Sequence, residues 1–142
     1  MVTLTPEWKV ESEEVTGELT TLRKRVEALE SMKSSREIDG EIYEEILEAQ
    51  KEGYQERVKI AVGLASSMNL RRGQLTAHIS KLTKYLVNAK LDHKSGVMDE
   101  SALKIAQDSI EPSLRPLIAE RNDLNAKLKA LEQVLPARVS LG

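Results

Sequence analysis

Residues 35–46 read SREIDGEIYEEI, and residues 94–105 read KSGVMDESALKI. Both stretches interrupt sequence that otherwise favours helix, and both do so with the same device. An apolar residue (Ile38, Met98) is followed by an aspartate (Asp39, Asp99), and apolar spacing resumes four positions later at Tyr43 and Leu103. An aspartate in that place is an N-cap, because its carboxylate accepts from backbone N–H groups that the first helical turn leaves without partners. Gly96 supplies the residue that closes the preceding helix in the second stretch. Each stretch therefore ends one helix, caps the next and turns the chain back on itself. This predicts an all-α fold, an elongated antiparallel coiled-coil zigzag of three helices over about 6–34, 40–92 and 99–135. Helix one is expected against the early part of helix two, and helix three against its later part.

The intervening segments carry the seams such a fold needs. The run TPEWKVESEEV places Thr5 as a cap, Pro6 at a first helical position that needs no N–H, and Glu7 in the first turn. Val15, Leu19, Leu22, Val26 and Leu29 follow at alternating steps of four and three, the spacing of a coiled-coil seam. The second half of helix two repeats it with Leu75, Ile79, Leu82, Leu86 and Ala89, and helix three with Leu117, Arg121, Leu124, Leu128, Leu131 and Leu135. Two places weaken the pattern. Gly73 is the expected bend among the glycines of helix two. Pro112 and Pro116 predict a kink or break in helix three, since a proline inside a helix removes a hydrogen bond and crowds the preceding turn.

Composition agrees with seams rather than a bulky core. Of 142 residues only 3% are aromatic and 31% are charged, with no phenylalanine and no cysteine. The missing cysteines exclude disulfides and thiolate metal sites, as expected of a soluble cytoplasmic protein. No apolar run reaches the ~18 residues of a membrane span, and no signal-peptide pattern opens the chain. His78 and His93 stand apart with no metal-ligand spacing around them. Carboxylate pairs such as Glu13–Glu14 and Glu44–Glu45 fall where helices ordinarily expose acids. With no phosphate-binding loop and no nucleophile motif, an enzyme and a cofactor are not expected.

Charge is strongly segregated. Residues 1–56 hold 15 acidic and seven basic side chains, net −8, whereas residues 57–94 hold eight basic and one acidic, net +7. An acidic arm and a basic middle of this kind can pair between copies, since complementary charge guides association. Arg71, Arg72, Lys81 and Lys84 form the candidate basic contact face, and the chain is expected to form a dimer or filament. The same face could instead follow nucleic-acid phosphates, and a generic coiled-coil adaptor is a third reading.

The stretches LTPEWKVESEEV (4–15), LRKRVEALESMKSSREIDGEIYEEI (22–46) and SGVMDESALKIAQDSIE (95–111) together resemble, in that order, the helical part of the CdvA family of archaeal cell-division proteins. The resemblance covers most of residues 4–135 and is densest at Trp8 and the two corners. It implies a non-enzymatic, self-associating structural scaffold that acts in the cytoplasm at the division site. It also implies an ESCRT-III-like partner of the CdvB type, and possible association with DNA or membrane. Members of the family carry an N-terminal PRC-type β-barrel and a C-terminal recruitment tail. Neither is expected in residues 1–142, which are read as one helical coiled-coil domain.

Overall fold

The structure is a computed structural model that describes residues 5–136. Three helices account for nearly all of it: α1 (Glu7–Ser34), α2 (Gly40–Lys94) and α3 (Glu100–Val134). Among the described residues there is no strand. α1 starts behind Pro6 without a side-chain cap, so Thr5 does not take the expected role.

The two corners are built from one geometry. In the first, Arg36 N–H donates to Lys33 O and Glu37 N–H to Met32 O; in the second, Gly96 N–H donates to His93 O and Val97 N–H to Asp92 O. These paired bonds, with a left-handed residue at their centre, form the Schellman ending of a helix. That residue is Arg36 at φ 62° in the first corner and Gly96 at φ 83° in the second. Asp39 Oδ1 then accepts from Ile42 N–H at 2.9 Å, and Asp99 Oδ1 from Ala102 N–H at 2.8 Å. The first corner is tightened further by Lys33 Nζ, which lies 4.2 Å from the centroid of the buried Tyr43 ring.

The corners are offset by 60 residues, and so are the seams leading into them: 15, 19, 22, 26 and 29 become 75, 79, 82, 86 and 89. Leu64 and Met68 after the first corner likewise become Leu124 and Leu128 after the second, and all four are buried. The chain thus contains two tandem helical hairpins of one pattern.

Two compact units share the three helices. Among the described residues, the first comprises 5–68 with 127–136. In it, the first half of α2 runs antiparallel to α1, and the last turns of α3 lie against both. Lys127 Nζ meets Glu13 at 2.8 Å, and Arg23 Nη2 and Tyr54 Oη donate to Val134 O at 3.1 and 3.4 Å. Leu19, Met68 and Leu131 are fully buried there, with the small side chains of Ser12, Ala61 and Ala65 where the helices crowd. Helix three, expected against the later part of helix two, also joins the first unit with its last turns. Its C-terminal seam, Leu128, Leu131 and Leu135, is buried in the unit that holds α1.

The second unit comprises residues 69–126, the second half of α2 and most of α3. Leu75, Ile79, Leu86, Ala89 and Leu124 are its buried residues.

Neither helix is broken at the expected places. α2 is helical through Gly73, where the apolar series from Met68 to Leu75 and Ile79 is unbroken and Arg71 is tied to α3. α3 is helical through Pro112 and Pro116. Both prolines are exposed, so the carbonyls that lose their donors, those of Asp108 and Pro112, sit on a side where water can replace them. Ile110, Leu114 and Leu117 meanwhile keep the opposite side half-buried. Ser109 Oγ and Ser113 Oγ also donate back to Ile105 O and Ser109 O, at 2.9 and 3.2 Å.

Candidate self-association surface

The seam residues read from the sequence divide by depth. Val15, Leu19, Leu29, Leu75, Ile79, Leu86, Leu124, Leu128 and Leu131 are buried, whereas Leu22, Val26, Leu82 and Leu117 are half-buried. At the corners Ile38 is half-buried, and Asp39, Gly96 and Asp99 are exposed. Sequence reasoning missed Ala61, Leu64, Ala65 and Met68, all buried on the first half of α2. Their helical spacing was present, but Gly53 and Gly63 obscured it.

The four basic residues do not form one face. Arg71 uses Nε and Nη2 on the two carboxylate oxygens of Glu120, each at 2.9 Å. That hydrogen bonding raises the guanidinium's pKa above its ordinary value; burial opposes the rise, and the charge of Glu120 adds to it. Arg72 donates to Asn69 at 2.6 Å and to Asn125 at 3.1 Å. Both arginines therefore flank the α2–α3 seam and hold the hairpin closed. Lys81 and Lys84 are exposed and make no ion pair among the described residues. They share the outward side of α2 with Leu70, Tyr85, Val87 and Leu91, which are 54–66% exposed.

The acidic side of the molecule is divided in the same way. Glu13 is taken by Lys127 and Glu18 by Arg57. Glu7, Glu11 and Glu14 have no basic partner among the described residues. A side-chain hydrogen bond that the protonated Glu11 carboxyl donates to Glu7 is the largest cause of a raised pKa at Glu11, followed by burial and the nearby charges of Glu7 and Glu14. These acids rim shallow grooves between α1 and α2, floored by Val15, Ile60 and Leu64, which no residue of α3 lines.

His78 is exposed and His93 half-buried. Among the described residues no group of three or more His, Cys, Asp or Glu side chains could hold a metal ion, and no helix is long and apolar enough to cross a membrane.

Long capped helices zipped along narrow seams, with charged and partly apolar outer faces, define an all-α coiled-coil protein. The chain belongs to the CdvA family: the CdvA-like coiled-coil domain matches residues 7–141. It is similar to Cell division protein A of Sulfolobus acidocaldarius, 26% identical over 134 residues. That match takes in 92% of this chain and 55% of the relative, so the chain spans about half the length of the curated protein it matches. No solved structure matches it.

Proposed function

We propose that this chain is a non-enzymatic scaffold element of cell division that acts by associating with copies of itself. The assemblies, dimers extending to filaments, form in the cytoplasm at the division site and there support recruitment of an ESCRT-III-like partner. Family membership supports the cellular role. The observation that carries self-association is the outward side of α2, where Leu70, Tyr85, Val87 and Leu91 remain more than half exposed. Apolar groups grouped on one side of a helix favour removal from water, and a second coiled-coil surface supplies that.

Light scattering over a concentration series tests the reading directly. Mass rising above that of one chain at micromolar concentration is the expected result. A single-chain mass throughout the series removes self-association. In dividing archaeal cells, a fluorescent fusion should gather at mid-cell before constriction, and uniform fluorescence would count against the cellular role.

A further inference from the structure

We propose that the acidic groove between α1 and α2 receives the outward face of the second half of α2 from another copy. This rests on the self-association reading and names the two surfaces that meet. On the receiving side, Ile60 is 45% exposed between the helices, and Glu7, Glu11 and Glu14 of α1 rim the groove with no ion pair among the described residues, facing Lys59 and the Glu18-bound Arg57 on α2. On the entering side, Leu70, Ala77, Lys84 and Leu91 recur every seven residues and so share one face of the helix. Lys81 lies beside them, between Ala77 and Lys84.

Charge selects this pairing over others. The residues lining the groove include Glu7, Glu11, Glu14 and Glu18 against Arg57, which is tied to Glu18, and Lys59, an acidic excess carried by α1, whereas residues 69–94 carry net +5. Within one unit, like charges are gathered on α1: Glu7, Glu11 and Glu14 line the same side, and a hydrogen bond with Glu7, then burial and the charges of Glu7 and Glu14, raise the pKa of Glu11. Lysines entering from a second copy relieve that crowding, whereas two acidic grooves, or two basic faces, would repel. Arg71 and Arg72 are committed to Glu120, Asn69 and Asn125, so the contact falls to Lys81 and Lys84. An apolar floor with an acidic rim, met by an apolar ridge with lysines, matches in both properties. The occupant is a second copy of this chain.

The experiment measures association of the chain by sedimentation in four forms: wild type, K81E/K84E, E11K/E14K, and all four substitutions together. All four positions are exposed and outside the buried seams, and far-UV circular dichroism checks that each form stays helical. Each pair alone should weaken association about tenfold, and the combination should recover most of the loss, because opposite charges again face each other. Wild-type association that neither pair alters, or a combination no stronger than its parents, overturns the proposal while leaving self-association standing. A monomeric wild type overturns both. Loss of short-duplex DNA binding in K81E/K84E, with assembly intact, assigns the lysines to nucleic acid and overturns the proposal too. As a measurement free of variants, zero-length carbodiimide cross-linking of mixed light and heavy-nitrogen chains should join Lys81 or Lys84 to Glu7, Glu11 or Glu14 across isotopes. Only same-isotope links at those lysines would count against it.

Discussion

Arg36 holds in the first corner the left-handed position that Gly96 holds in the second, at φ 62° against 83°. The paired Schellman bonds are the same, apart from an added Met98 N–H to Asp92 O in the second, so the corners compare a residue with a Cβ and one without in closely matched geometry. A left-handed conformation costs an ordinary residue about 1–2 kcal/mol, and glycine's extra freedom when unfolded offsets about 0.5–1 of that. Arg36→Gly should therefore stabilise the chain by about 0.5–1 kcal/mol, and Gly96→Ala should destabilise it by a similar amount. Urea midpoints of the two variants check this, and shifts of the same sign would contradict it.

The aspartates that follow act as caps through one carboxylate oxygen each, to Ile42 N–H and Ala102 N–H. Removing either leaves a first-turn donor to water alone. Asp39→Ala and Asp99→Ala should each cost about 1 kcal/mol. An unchanged denaturation midpoint for either would mean that its helix is held by packing and not by the cap.

These corners were legible because capping is local chemistry: Ile38-Asp39 and Met98-Asp99 carry their meaning within a few residues. The destination of the last turns of α3 was not. Leu128 and Leu131 read as seam residues, yet their spacing says nothing of which helix they meet, and contacts such as Arg23 with the carbonyl of Val134 join residues far apart in sequence. The basic face was misjudged for a similar reason. A charge count treats Arg71 and Lys81 alike, but Arg71 lies within reach of Glu120 across the seam and Lys81 does not. The candidate site could therefore be sensed as a charge imbalance, while its membership needed the structure.

The helices that run through Gly73, Pro112 and Pro116 keep residues that their own conformation disfavours. A Cβ at Gly73 would meet nothing within 4 Å, so Gly73→Ala should stabilise by about 0.5–1 kcal/mol. Pro116→Ala, at an exposed position inside α3, restores a donor for the carbonyl of Pro112 and should stabilise by more, up to about 3 kcal/mol. Thermal unfolding followed at a helical wavelength tests both. A loss of stability at Pro116 would show that the proline limits the unfolded chain more than it strains the helix.

Salt separates the forces that join copies. If Lys81 and Lys84 meet the glutamates of a neighbour's groove, association should weaken as sodium chloride rises, because exposed charges are screened over about 10 Å at 0.1 M. If the apolar residues alone, such as Leu70 and Leu91, hold the assembly, the slope should be flat, and sulfate should strengthen it. Intramolecular pairs complicate a simple reading of the slope. Arg71–Glu120 and Glu13–Lys127 are also partly exposed and also weaken in salt. Exposed pairs of this kind contribute about 0–1 kcal/mol each, so their loss should shift unfolding slightly without separating copies. Sedimentation and thermal unfolding measured on the same samples therefore disentangle the two effects. Association that falls with salt while the unfolding temperature barely moves is the expected result. K81E/K84E should reverse that slope, since glutamates would then face glutamates and salt screens their repulsion. A wild-type slope that persists in the variant would place the salt-sensitive contact elsewhere on the chain.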